Sequence, residues 1–174
     1  MTPLRTLAVL SLCLASGAVV AQDASPVVSS LKGLHSMTSA TLMATAEQLD
    51  EDLYAYQPTG DVRTAGQLLA HVANAQYAFC SSAAGEDNPN EANIEETATA
   101  KDDIVAALAA AFAYCDGVYD AMTDEQVAET RTFFGREMAA SGILAFNTTH
   151  NYEHYGNLVT YMRMNGIVPP SSQR

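Results

Sequence analysis

Apolar residues along this chain recur at helical rather than strand spacing. From Ser29 to Leu53, the positions Leu31, Leu34, Met37, Leu42, Met43, Ala46, Leu49 and Leu53 follow one another mostly at intervals of three and four. That spacing lines one face of an α-helix. Tyr54 to Asp61, with Pro58 and Gly60, breaks the pattern. A second stripe, Leu68, Leu69, Val72, Ala75, Ala78 and Phe79, opens near Thr64 and fades by Ala83. Thr64 and Gln67 stand as T-x-x-Q, a capping box for its first turn. Gly85 to Asn90 interrupts again. A third helix is predicted from about Ala98 to Met122, through Ile104, Val105, Leu108, Ala111, Phe112, Cys115 and Tyr119. Thr132-Phe133-Phe134-Gly135-Arg136 reads as extended or irregular. A fourth helix runs from near Ser141 to about Asn165, where Gly166 and then Pro169-Pro170 stop it. Alternating strand patterns are scarce, so the fold class is all-α. At 1.5 Å rise per residue each helix is ~30 Å long, suited to a four-helix bundle. Segments 54–63 and 82–97 are long enough to cross an end of the bundle, so simple up-down neighbours are not forced.

The first 21 residues belong to a different pattern. Arg5 is the only charge before Asp23, Leu7 to Val20 is mostly apolar, and Val19-Val20-Ala21 gives a small-residue ending. This reads as a secretory signal peptide, residues 1–21, cleaved after Ala21. Residues 22–174 then form one mature domain with a periplasmic or secreted location. The apolar run is short and gives way abruptly to Gln22-Asp23, so no stable membrane anchor is expected after cleavage. Cys13 sits inside the run, after Leu12, and not where a lipoprotein cysteine would stand. The chain carries 20 acidic against 8 basic residues, a formal charge of −12. A field of that sign repels phosphate backbones and anionic lipid, which disfavours nucleic acid and membrane surfaces as partners. Exposed apolar helix faces leave a homodimer open.

Candidate chemistry rests on few residues. His150 and His154 are four apart on the fourth helix, so they share a face and can hold one divalent ion. His71, on the second helix, would complete a three-imidazole set if that helix faces the fourth. The alternative is ordinary packing or surface histidines. His35 is read as a packing or pocket residue. Residues 150–154 also spell H-x-x-E-H, the inverted zinc-protease string, with Glu153 as general base. Only 20 residues follow His154, too few for the rest of that fold. Glu153 is kept as a weak catalytic candidate beside Asn147 and Asn157, which share the histidine face. Those asparagines either orient a ligand or make interhelical hydrogen bonds. Tyr152, Tyr155 and Tyr161 are read as packing residues. Cys80 and Cys115 remain after cleavage, and either a disulfide or two buried thiols is open. If they are bridged, the second and third helices must run parallel and residues 84–97 must cross the bundle.

Two of these stretches carry a family resemblance. Arg63-Thr64-Ala65-Gly66-Gln67-Leu68-Leu69-Ala70-His71-Val72 resembles the second-helix motif of the DinB-like (YfiT-like) metalloprotein superfamily. His150-Asn151-Tyr152-Glu153-His154-Tyr155-Gly156-Asn157, continuing to Gly166-Ile167-Val168-Pro169-Pro170, resembles its last-helix motif. The resemblance spans the chain from about Ser29 to Ser172. It implies a four-helix bundle of unusual connectivity and a site for one divalent ion, Zn or Ni, held by His71, His150 and His154. Characterised relatives include thiol-dependent S-transferases and thiol-using isomerases. The resemblance therefore implies a metal-dependent enzyme acting on a small molecule. Thiol transfer suits the family, while hydrolysis suits an exported protein, which meets little low-molecular-weight thiol. A non-catalytic metal-binding or interaction module of the cell envelope is the alternative.

Overall fold

A computed structural model describes residues 25–173. The expected signal peptide, residues 1–21, lies outside them. Helix α1 spans Pro26–Gln48 and is followed by the short α2, Glu51–Tyr54. The break falls at Leu49 and Asp50, both extended (ψ 129° and 157°), so the predicted first helix is two pieces. Leu53 still packs on the core across the break, which is why the apolar spacing ran through it. Helix α3 spans Ala65–Ala84, and the predicted capping box is present: the Gln67 amide donates to Thr64 Oγ1 at 3.2 Å and the Thr64 amide to Gln67 Oε1 at 2.9 Å. Gly85 closes α3 in the left-handed conformation, φ 76°. A side chain there would collide with Arg131 Nε, 2.9 Å from the position of a Cβ.

The short helix α4, Ile94–Thr97, precedes α5, Lys101–Ala121, so the predicted third helix starts three residues late. Ala98, extended at φ −102° and ψ 109°, separates the two. After α6, Asp124–Val127, the strands β1, Thr130–Phe133, and β2, Arg136–Ala139, form an antiparallel hairpin. It stands where the sequence reads as extended or irregular. Helix α7 spans Ala140–Met164, as predicted to within a residue, and a 3-10 turn at Pro170–Ser172 ends the described chain.

Four long helices form the bundle, with each of α1 and α3 packed against both α5 and α7. Gly66 faces Ile104, and Cys80 is bonded to Cys115 with Cα atoms 5.4 Å apart, so α3 and α5 run parallel. Thr38 meets Asn151 and Gln48 meets Val168, so α1 and α7 also run parallel. Phe79 packs on Phe146 while Arg63 meets Tyr161, which makes α3 and α7 antiparallel. This is the unusual connectivity that the resemblance implied. Helix α5 has the length and apolarity of a membrane span, but Ile104, Leu108, Phe112, Cys115 and Tyr119 bury one face of it in the core.

The core has two apolar halves. One gathers Leu42, Leu69, Leu108, Leu158 and Met162; the other gathers Phe79, the disulfide, Tyr119, Ile143 and Leu144. A buried polar layer separates them. Gln76 Nε2 donates to Asn151 Oδ1 at 2.7 Å, Asn147 Nδ2 donates to Gln76 Oε1 at 2.9 Å, and Asn151 Nδ2 donates to Thr38 Oγ1 at 3.3 Å. Buried amides without partners are costly, so this layer fixes the register of α1, α3 and α7 against one another. The histidines lie on the α3–α7 side of it.

Candidate metal centre

His71 projects from α3 toward α7, where His150 and His154 stack one turn apart. Their Nε2 atoms meet. His150 Nε2 lies 3.2 Å from His71 Nε2 and 3.0 Å from His154 Nε2. The three rings are thus the set predicted from the sequence, and they form a group that could hold a metal ion. An ion about 2.0–2.1 Å from each nitrogen spans N···N separations of about 2.8–3.4 Å at bond angles of 90–110°. Both separations fall in that interval.

Proton counting favours a cation at this point. His71 Nδ1 lies 3.0 Å from Glu95 Oε2, so in the neutral ring Nδ1 carries the proton and Nε2 presents its lone pair. His150 Nε2 takes part in both contacts but has only one proton or one lone pair to offer. If it carries the proton, it can point at one neighbour and not both. If it is bare, it faces the bare His71 nitrogen. A shared positive ion satisfies all three nitrogens together. Burial pushes His150 down to about 3, aided by the His154, His71 and Arg63 charges. Burial also lowers His154, with His71 adding to it and Glu153 opposing. Both rings are therefore neutral at pH 7, the form that ligates metal.

Glu95 was not found from the sequence. It sits on α4, 24 residues beyond His71, and accepts from both His71 and Arg63, the latter at 2.7 Å. Burial works to raise its pKa, but the hydrogen bonds from Arg63 and His71 outweigh it and hold the carboxyl below its usual range. Asn74 fixes this loop, accepting the Ile94 amide at 2.9 Å and donating to Asn93 Oδ1. Carboxylate support of a ligating imidazole sets its tautomer and raises its basicity. Nδ1 of His150 and of His154 is buried without such a partner. Phe79 instead packs edge-on against the His150 ring, centroids 5.1 Å apart.

Asn147 is the interhelical hydrogen-bond residue of its two readings. It is fully buried, and its amide donates to Gln76 and lies 3.5 Å from Cys80 Sγ. It belongs to the polar layer beneath the histidines. Asn157 and Glu153 are exposed and line a cleft of about 320 Å³ beside His154, together with Arg63 and Tyr161. On the other side, His71 and His150 border a second cleft of about 410 Å³. His35 is fully buried and packs on Phe112 and Tyr119, away from the three rings. Tyr161 does more than pack: its hydroxyl donates to the Arg63 carbonyl at 3.0 Å.

A sequence profile of the DinB superfamily matches residues 34–158. The chain belongs to the DinB superfamily. An uncharacterized DinB-like protein, YjoA of Bacillus subtilis (strain 168), is 26% identical over 125 residues, 70% of this chain and 79% of its own. Its crystal structure superposes with a TM-score of 0.63, covering 86% of this chain and 99% of that one at 21% identity. A DinB-like protein from Bacillus cereus ATCC 10987 gives 0.67 at 18% identity, covering 82% and 95%. A mycothiol-dependent maleylpyruvate isomerase gives 0.61 at 16% identity, covering 78% of this chain and 65% of the isomerase. At these identities the structural likeness establishes the shared fold.

Proposed function

We propose that this DinB-superfamily chain is an exported metal-dependent enzyme acting on a small molecule, by hydrolysis or by thiol transfer. The observation that carries the reading is the convergence of three imidazole nitrogens between two clefts. His71, His150 and His154 would hold one divalent ion, zinc or nickel, and three protein ligands leave coordination positions for an outside group. Such an ion supplies Lewis acidity and a nucleophile near neutral pH, drawn from water or from a thiol.

The chain's own residues have separable roles. Glu95 holds His71 in the tautomer that presents Nε2. Phe79 and the α7 backbone orient His150, and the buried Gln76–Asn147–Asn151 layer keeps α3 and α7 in register. Glu153 and Asn157 stand at the mouth beside His154, where a proton or a polar substrate group could be handled. The mycothiol-dependent isomerase among the structural neighbours supports thiol chemistry. The signal-like residues 1–21 and the periplasmic or secreted location they imply support hydrolysis. The acidic charge argues against nucleic acid as partner.

The test is elemental analysis of the purified protein beside His154→Ala, followed by turnover of an ester and thiol–electrophile panel. About one equivalent of metal in the wild type, lost in the variant, with turnover of either substrate type, supports the reading. Metal without any turnover would instead favour the non-catalytic envelope module. No metal at all would sink both.

A further inference from the structure

The cleft bordered by His71 and His150 differs from its neighbour in chemistry. Apart from those rings and Asn74 it is walled by Ala75, Ala78, Phe79, Phe134 and Phe146, with no charged side chain. The other cleft carries Asp61, Arg63 and Glu153. In a chain of formal charge −12, an uncharged cleft beside the candidate metal centre is a local departure from the surface. Its size, about 410 Å³, lies in the range of small-molecule sites.

Phe134 supplies the second observation. It is 77% exposed and occupies the first corner of the hairpin turn with φ 48°, followed by Gly135 at φ 71°. Such a turn favours asparagine at this corner, and a bulky residue with positive φ is strained. The turn therefore does not account for phenylalanine here, and its ring packs only on the outer side of the core through Phe133, centroids 4.1 Å apart. Its ring lines the cleft, 6.3 Å from Phe79 and nearly perpendicular to it. Phe146, 47% exposed, also lines the cleft and packs edge-on against Phe79, which itself touches His150. An aromatic ring lodged among them lies beside His71 and His150, which line the same cleft.

We infer that the substrate class is a neutral, aromatic-bodied small molecule, its ring seated among Phe79, Phe134 and Phe146 and its reacting group at the three-histidine centre. This rests on the functional reading above, so the test separates the two. Metal-free protein is titrated with 2-naphthol, followed by its fluorescence. Binding should weaken about three- to tenfold in Phe134→Ala, the range for loss of an aromatic contact. Phe134→Asn relieves the turn strain; it should keep or raise thermal stability while losing the same affinity. That combination is one a purely structural role for Phe134 would not give. Zinc-loaded protein is then titrated with acetohydroxamate and benzohydroxamate, which share a chelating head and differ in the ring. Benzohydroxamate should bind more tightly in the wild type, and the advantage should vanish in Phe134→Ala. Naphthol binding unchanged by both variants overturns the inference even with the metal centre intact. Ring-dependent naphthol binding in a protein that takes up no metal supports the cleft and overturns the enzyme reading instead. A chain that sediments as a dimer through Phe134, and excludes naphthol, also overturns the inference.

Discussion

Replacing Glu95 by alanine should weaken divalent-metal binding more than any other change outside the three histidines. Its carboxylate is the sole partner found for an Nδ1 of the three histidines among the described residues. A hydrogen bond to a charged group contributes about 1.5–3 kcal/mol, or roughly 12- to 150-fold in an equilibrium constant. Two features place this one near the lower end. The Glu95 side chain is 21% exposed, and it is shared with Arg63. About ten- to thirtyfold is therefore expected, within the range typical for outer partners of metal-binding histidines. Glu95→Gln keeps an acceptor without the charge and should lose about half as much on a logarithmic scale. Arg63→Ala should act with the opposite sign. The guanidinium disfavours positive charge on His150 and His154, and its removal frees the Glu95 carboxylate for His71 alone. Asn74 still holds the loop, so affinity should rise roughly two- to fivefold, the scale of a part-exposed charge pair. Competition against a chromogenic chelator at pH 7 measures all three. Glu95→Ala affinity within twofold of wild type, with an unchanged metal-free melting curve, would refute the assignment of Glu95 as the support of His71.

The metal-free protein should lose stability on acidification. The folded pKa values of His35, His150 and His154 are lowered, so below pH 6.5 the unfolded chain binds more protons. Stability is full above 6.5 and declines as pH falls toward about 3, the folded value of His150; an equal urea midpoint at pH 7.5 and 5 would contradict this. Cys80→Ala with Cys115→Ala should cost about 2–4 kcal/mol in urea denaturation, since the bridge closes a 35-residue separation. A denatured, non-reduced sample should titrate no free thiol from these two, and two thiols per mature chain would remove the bridge from the account. The exported protein should begin at Gln22 or nearby by mass spectrometry, and an intact Met1 on the mature protein would overturn the export reading.

The long helices were legible because each buries one stripe against the core, and that burial requires the apolar spacing seen in the sequence. Some of their ends were legible because a local device sets them, as at Thr64–Gln67 and Gly166. Where apolar spacing ran across a break, at Leu49 and Asp50, nothing in the pattern marked the extended residues between the two pieces. The hairpin was hidden for a related reason. Its turn is Phe134-Gly135 rather than Asn-Gly, and the four-residue strands are too short to show alternation. Among the site residues, His150 and His154 were visible through their spacing on one helix. His71 needed the family motif. Asn147 could not be separated from a ligand-orienting residue, because position on the histidine face does not show depth, and its side chain turns into the layer shared with Gln76.

Glu95 and the disulfide have one topological cause. Because α3 and α5 run parallel, the chain leaving α3 at Gly85 must return along the bundle before α5 can begin beside Gly66. The return lies along α3 in reverse order. Asn90 and Ile94 meet Asn74, Glu95 meets His71, and Ala98 and Thr99 reach the cleft wall beside Gly66 and Gln67. An antiparallel pair would need only a short loop at one end and would deliver no carboxylate to the middle of α3. Bridging Cys80 to Cys115 requires the same parallel register, since both lie near the far ends of their helices. The covalent link thus fixes the register that makes the crossing segment necessary, and the crossing segment brings Glu95 to His71. A disulfide on the far half of the core and a carboxylate beside the candidate metal centre are two consequences of one helix order.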